Sequence, residues 1–394
     1  MEAVKQSSAV LIGRGHRVEI ICLDSPSDPW IRQYPVTVHA LGPGRGSYGY
    51  APRFTRWIND RHRDYDAVIV HGLWQYNSFG VWRALRGTAT PYFVFPHGML
   101  DPWFNRTYPL KHIKKLLYWP WAEYRVLRDA AAVLFTSEEE RRLARESFSP
   151  YKAKEIVVNY GTAAPDVDLA TARENFFNHF PSLRGKRFLL YLGRLHEKKG
   201  CDLLINAFAD LWGAHCLPAR VRAPSRAVSG ALAGNLVAGQ DAAVHLLLAG
   251  PSANEKYLLQ LKELAASSAA PITFCGMLSG NLKWGALSAA DGFVLPSHQE
   301  NFGIAVVEAL ACATPVLISN KVNIWREIVN DGSGFADEDD LTGVTRLLKR
   351  WIDVPAAERD TMRANARACF ERRFEINRAV DSLLSILQQF VRST

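Results

Sequence analysis

The chain has 394 residues, 48% of them hydrophobic and 22% charged, with a formal net charge of +8. That length exceeds one ordinary core and suits two, and no run of roughly 18 apolar residues offers a membrane-crossing helix. No charged-then-apolar leader opens the sequence, and the six cysteines are scattered without a CxxC pair; this argues against secretion, a disulfide framework or a cysteine zinc site, and for a reduced, cytoplasmic setting.

In chain order, Glu2–Ile12 reads as a helix, Gly13–His16 as a turn and Arg17–Cys22 as a strand. A doubly wound domain normally opens with a strand and a glycine-rich turn before its first helix, so that strand and turn are missing from the pattern. Apolar or β-branched runs follow at Val36–Ala40, Ala67–Val70, Tyr92–Phe95, Ala131–Phe135 and Glu155–Val158. A second series runs Phe188–Leu192, Val244–Ala249, Pro271–Cys275, Gly292–Leu295 and Pro315–Ile318, with helical periodicity between strands, as in Asp202–Leu211 and Lys256–Ala266. Continuous apolar strands alternating with helices predict an α/β chain of two doubly wound, Rossmann-like domains with parallel sheets. The expected divisions are 1–165, 166–370 and a C-terminal helix, 371–394, that packs back toward the first domain, with the join in the polar stretch Gly161–Lys186. Residues Gly213–Gly239, rich in Ala, Gly, Pro and Arg, read as an insertion or mobile loop.

Charge is uneven. Residues 1–165 hold 22 basic and 15 acidic residues, the remainder 25 and 24. The basic half predicts anionic partners: phosphates, or peripheral contact with an anionic membrane face. Nucleic acid is not expected, because no zinc-finger, RNP or helix-turn-helix pattern accompanies the charge. The segment Tyr108–Arg128 interleaves Lys111, Lys114, Lys115, Arg125 and Arg128 with Tyr118, Trp119, Trp121 and Tyr124. It reads equally as a membrane-facing surface or as a helix pair with its aromatics inward, broken at Pro120.

Four strings place polar residues at strand ends. His71-Gly-Leu-Trp-Gln-Tyr-Asn77 could line an acceptor site, or Trp74 could simply pack. Phe95-Pro-His97-Gly-Met-Leu-Asp101 sets a histidine beside a glycine. Leu190-Tyr-Leu-Gly193-Arg194-Leu-His-Glu-Lys-Lys199-Gly carries two cations on a strand-to-helix loop, where Arg grips a diphosphate bidentately and Lys adds a point charge. Pro296-Ser-His-Gln-Glu300-Asn-Phe-Gly303-Ile-Ala-Val-Val-Glu308 enters a helix at about Ile304, whose free N–H groups favour an anion while the carboxylates accept sugar hydroxyls. The acidic run Asp337–Asp340 reads as a solvated loop, and no metal site is expected.

The string Pro296–Val316 resembles the Glu-x7-Glu motif of the retaining nucleotide-sugar glycosyltransferases of family four (group 1), which have the GT-B fold, two such domains facing a central cleft. Leu190–Ala207 resembles the same family's diphosphate-binding loop, and it lies about one hundred residues upstream, as it does there. The resemblance implies that Glu300 contacts the donor sugar and Glu308 the ribose. Backbone N–H groups of Asn301, Phe302, Gly303 and Ile304 would meet the donor, and Gly193, Arg194 and Lys199 its diphosphate. Backbone groups of Gly276 and Met277 would meet the base, and His97 the donor sugar at the reaction centre. The family usually has Gly where this chain has Ala313, a change expected only to tighten packing.

The implied activity is hexosyl transfer, retaining and metal-independent, without a cofactor. The donor is a UDP- or GDP-sugar and the acceptor a glycan or lipid-linked saccharide, as in polysaccharide biosynthesis at the inner face of the cell membrane. The alternative is an N-terminally truncated homologue that binds the nucleotide sugar but transfers weakly or not at all, given the missing first strand.

Overall fold

The structure, a computed structural model, describes residues 2–216 and 244–391. The predicted insertion Gly213–Gly239 lies almost entirely outside them. Two compact units are present: 1–164 with 300–307 and 370–394, and 165–299 with 308–369.

The first unit holds β1 (Glu19–Cys22), β2 (Thr37–Ala40), β3 (Val68–His71), β4 (Tyr92–Phe95), β5 (Ala132–Phe135) and β6 (Glu155–Val157). Strands β3 to β6 form one parallel sheet in sequence order, and β1 pairs in parallel with β2 alone. Strands β4 and β5 are buried at every residue, as central strands covered on both faces must be. The helix Ile376–Gln388 closes one face: Leu383 and Ile386 pack with Phe93, Phe95, Ala132 and Leu134. The helix Glu2–Gly13 lies against it, with Arg14 paired to Asp381. A cavity of about 930 Å³ separates β1 from β3, lined by Ile20, Cys22, Ile69 and His71 and by Leu11 and Leu383 of the two helices.

The second unit holds β7 (Phe188–Leu192), β8 (His245–Ala249), β9 (Ile272–Gly276), β10 (Gly292–Leu295), β11 (Val316–Ser319) and β12 (Gly334–Asp337), all parallel, in the order β12-β11-β10-β7-β8-β9. Every anticipated strand exists, several displaced by one or two residues at an end. Strand β12 was not anticipated, because Gly334-Phe-Ala-Asp337 is four residues long and poor in β-formers. Of the acidic run Asp337–Asp340, Asp337 ends β12 and the other three lie in the loop after it, Glu338 and Asp340 exposed as expected, but all four are engaged. Asp337 pairs with Arg346, Glu338 with Lys321 and Asp339 with His298, while Asp340 caps the helix Leu341–Ile352 by accepting from the Gly343 N–H.

The C-terminal helical stretch is not continuous. Helix Ala356–Cys369 passes through a π-helical turn, Phe370–Phe374, and stops at Glu375, whose side chain caps the next helix. Around Pro120 the basic-aromatic segment splits into Pro109–Tyr118 and Glu123–Asp129.

Candidate functional site

In the second unit, strand order reverses between β7 and β10. From β7 the sheet grows outward through β8 and β9, and from β10 through β11 and β12. Loops leaving two such strands turn to opposite sides and open a crevice at the carboxyl edge of the sheet. The two motifs singled out above leave these two strands: Gly193–Lys199 follows β7, and Pro296–Gly303 follows β10.

The loops are stitched together. The Lys198 carbonyl accepts from the His298 N–H at 2.9 Å and from the Ser297 hydroxyl at 3.1 Å. Gly200 has φ 65° and presses on Pro296, so that a Cβ there would sit 2.3 Å from the Pro296 carbonyl oxygen. Only glycine fits, which explains the Lys-Lys-Gly spelling in physical terms. The β7 loop is held from below by the Tyr191 hydroxyl, which donates to the Arg194 carbonyl at 2.7 Å, and by the Leu195 N–H, which donates to the Pro251 carbonyl at 2.9 Å. The backbone is thus fixed, while the Arg194 side chain is exposed and Lys199 is half-buried. Gly276 and Met277, at the end of β9, are both exposed.

After Gln299 the chain passes Glu300, Asn301 and Phe302 to Gly303, with φ 74°, and enters the helix Ile304–Ala311. The Val306 and Val307 N–H groups donate to the Gly303 carbonyl at 2.8 and 3.2 Å, so the N–H groups ahead of them are the ones this helix start can offer an anion. Glu308, one turn in, pairs with Lys283 at 2.8 Å from the neighbouring helix Gly280–Ala289. No sequence signal marked Lys283 as the partner of this carboxylate. At the end of the same helix Ala313 has φ 56°. The Ala313 and Thr314 N–H groups cap the helix carbonyls of Leu310 and Ala309. The expectation of tighter packing at Ala313 therefore left out a backbone cost. Ala313 occupies a left-handed helix-ending position that costs a residue with a Cβ about 1 kcal/mol relative to glycine.

The first unit gathers a second set. His97, with φ 50°, follows β4 and meets His71, at the end of β3, with Nδ1 of His71 and Nε2 of His97 2.9 Å apart. The Gly98 N–H donates to Glu140 Oε1 at 2.6 Å, and Glu140 Oε2 accepts from the Thr136 N–H and hydroxyl, each at 2.7 Å. Glu140 is buried, which raises its pKa against the lowering effect of these donors. Asn301, counted with this unit, donates from its amide to the Thr136 hydroxyl at 3.2 Å. Phe302 stands edge-on to Tyr160, centroids 5.0 Å apart.

Trp74 is held by packing. Its ring lies against Phe148, Trp119 and Tyr118, its indole N–H donates to the Met99 carbonyl at 3.2 Å, and its backbone N–H donates to Glu123 at 2.7 Å. Asn77 donates to the His71 carbonyl at 3.1 Å. Burial drives the Glu123 carboxyl up to about 7. Glu140 and Glu123 were both missed as site-shaping residues. Ser137-Glu-Glu-Glu140 has the capping-box spacing, which marks a helix start but not a carboxylate reaching Gly98.

Burial pushes the imidazoles down from 6.5, to about 4 at His71 and about 3 at His97, where His71 adds to the effect. The folded state therefore keeps both rings neutral where the unfolded chain binds protons. The associated stability is present above about pH 6.5 and is lost as pH falls from there toward 4 and 3, by about 1.4 kcal/mol per pH unit for each proton taken up. Thermal melting across pH 7 to 4 should show this decline, and His71→Gln should make it shallower. An unchanged slope in the variant would remove the pair as its source.

Among the described residues, no group of three or more His, Cys, Asp or Glu side chains is placed to hold a metal ion. Nor is any helix among them long and apolar enough to cross a membrane.

Comparison with known proteins fits this arrangement. The family described as Glycosyl transferase 4-like domain matches residues 3–161, and Glycosyl transferases group 1 matches residues 172–368. A GDP-mannose-dependent alpha-(1-6)-phosphatidylinositol dimannoside mannosyltransferase of Mycobacterium tuberculosis is 25% identical over 406 aligned positions, covering 100% of this chain and 93% of the relative. A D-inositol 3-phosphate glycosyltransferase of Kineococcus radiotolerans is 28% identical over 54% of this chain and 45% of its own length.

Among solved structures, sucrose-phosphate synthase of Thermosynechococcus elongatus superposes with a TM-score of 0.73 at 20% identity, covering 98% of this chain and 92% of that one. The Anabaena protein HepE, solved with UDP and glucose, gives 0.71 at 16% identity, covering 98% and 95%. The fold is thus GT-B, built from two Rossmann-like domains. With half of its residues matched by the second family and most of the rest by the first, the chain belongs to the group 1 glycosyl transferases.

Proposed function

We propose that this chain transfers a hexosyl group from a nucleoside diphosphate sugar to a glycan or lipid-linked saccharide, with retention at the anomeric carbon and without a metal. One observation carries the reading: the cationic loop and the Glu-x7-Glu loop, about one hundred residues apart, leave the two strands that flank the switch point of the second unit's sheet. Arg194, Lys199 and the N-terminus of helix Ile304–Ala311 are the proposed holders of the diphosphate. Glu308 takes the ribose hydroxyls, positioned by Lys283, and Glu300 takes the donor sugar. Backbone groups of Gly193, Gly276 and Met277 and of Asn301 to Ile304 complete donor binding. His97, neutral across the physiological range, takes the role at the reacting sugar that the family resemblance implies.

In the proposed reaction the bond from the anomeric carbon to the diphosphate oxygen breaks, and a bond from that carbon to the acceptor hydroxyl oxygen forms on the same face. The acceptor's proton passes to the departing phosphate. Negative charge develops on the leaving group, so cations fixed beside it act more strongly in the transition state than in the ground state.

The relatives' names support both donor bases, GDP in the mannosyltransferase and UDP in HepE. A panel of UDP- and GDP-hexoses should therefore be tested for thermal stabilisation, then for acceptor-dependent release of the nucleoside diphosphate, with the product anomer read by NMR. Release that requires an acceptor and gives the donor's anomeric configuration is the expected result. Stabilisation without release would reduce the chain to a binding protein, and an inverted product would overturn retention.

A further inference from the structure

Helix Pro109–Tyr118 is turned the wrong way for an ordinary surface helix. Leu110 is 82% exposed, Ile113 55% and Leu117 74%, at the i, i+3 and i+7 positions of one stripe. Leu116 and Trp121 extend the stripe at 42% and 48%, and the Trp121 indole N–H donates to the Leu117 carbonyl at 3.0 Å, which fixes the ring beside it. The opposite side, toward the unit's own core, carries two polar residues, His112 and Lys115. The His112 ring lies 5.2 Å from Phe148, and the Lys115 ammonium sits 4.4 Å over Trp74. Single exposed apolar side chains are commonplace, but a contiguous stripe on a helix that turns His112 and Lys115 inward calls for a covering surface.

Charge indicates what covers it. From Pro102 to Ala122 there is no Asp or Glu, while Arg106, Lys111, Lys114 and Lys115 are all cationic. Arg106, Lys111 and Lys114 are exposed, and the next carboxylate, Glu123, is buried. Leucines and a tryptophan flanked by exposed cations match an anionic bilayer surface, with the apolar stripe at the headgroup–acyl boundary and the cations on lipid phosphates. Ten residues make about 15 Å of helix, enough to lie in that boundary and too short to cross it.

We infer that Pro109–Tyr118 is an in-plane docking helix for an anionic lipid bilayer. This deepens the proposed function by giving a lipid-linked acceptor a surface on which to be met. It is tested by binding alone, so its failure would leave sugar transfer to soluble glycans untouched.

The experiment is flotation of the protein with vesicles of phosphatidylcholine alone or mixed with phosphatidylglycerol. The wild type should float with the mixed vesicles at least tenfold more than with phosphatidylcholine, less so at high salt. Leu110→Glu with Leu117→Glu should abolish flotation, and Lys111→Glu with Lys114→Glu should abolish the lipid preference. Melting temperature and donor hydrolysis should match the wild type in both, since these side chains are exposed and remote in sequence from the donor motifs. The inference is overturned if the wild type stays in the soluble fraction with mixed vesicles, or if the leucine variant floats equally. It is also overturned if the stripe instead mediates self-association that the variants dissolve, with no flotation.

Discussion

Replacing Arg194 with Ala should lower kcat by about 10²- to 10³-fold, with little change in KM or melting temperature. The loop's shape does not depend on this side chain: the Arg194 carbonyl is held by Tyr191, and Lys198 is tied through its own carbonyl to Ser297 and His298. The guanidinium is exposed, and exposed substitutions usually stay within about 0.5 kcal/mol in stability. What is removed is a cation aimed at charge that appears on the leaving diphosphate, where one donor is typically worth about 3 kcal/mol of transition-state stabilisation. Arg194→Lys should recover part of the loss, because the charge returns but the bidentate fork does not. Lys199→Ala should behave like Arg194→Ala. Steady-state kinetics with the best donor from the panel decide the matter. Turnover within threefold of wild type in both alanine variants would show that the diphosphate lies elsewhere.

The largest effect on stability is expected at Glu140. Its carboxylate accepts from Gly98 at 2.6 Å and twice from Thr136 at 2.7 Å in a buried setting. Glu140→Ala leaves two backbone N–H groups and a hydroxyl without an acceptor, and each such buried group costs about 1 to 3 kcal/mol. A loss of about 3 to 5 kcal/mol in denaturant unfolding is expected, a large share of an ordinary domain's stability. Glu140→Gln keeps an acceptor oxygen but turns an amide N–H toward a donor, so a smaller loss should follow. Because Gly98 is the next residue after His97, the glutamine variant should also lose turnover at unchanged donor affinity. An alanine variant within 1 kcal/mol of wild type would mean that water replaces the carboxylate freely, and that the His97 loop is held by something else.

The two sites differ in how much of each could be read beforehand. The loops after β7 and β10 were legible because strand, tight turn and helix N-terminus are local events. Glycine at 200 and 303, cations at 194 and 199 and carboxylates at 300 and 308 write them out in consecutive letters. His97 was visible for the same reason, at the end of the fully buried run Tyr92–Phe95. Its partner His71 was noted only as part of a neighbouring string, since nothing local states that β3 lies beside β4 in register. Lys283 was passed over altogether, as was Glu140, because a side chain that acts 25 or 42 residues away from its partner leaves no periodic trace.

The sequence by itself therefore determined the class of fold, the two series of parallel strands and the chemistry of the loops that end them. Periodicity and turn residues report backbone hydrogen bonding within a few residues. Only the tertiary structure decided that β10 lies next to β7 and so brings the two donor motifs to one switch point. It also decided that Glu308 is paired with Lys283, that the neutral pair His71–His97 rests on a loop clamped by Glu140, and that Pro109–Tyr118 turns its leucines outward. These depend on sheet order and on which face of a helix meets the core, and both are settled by the packing of distant segments.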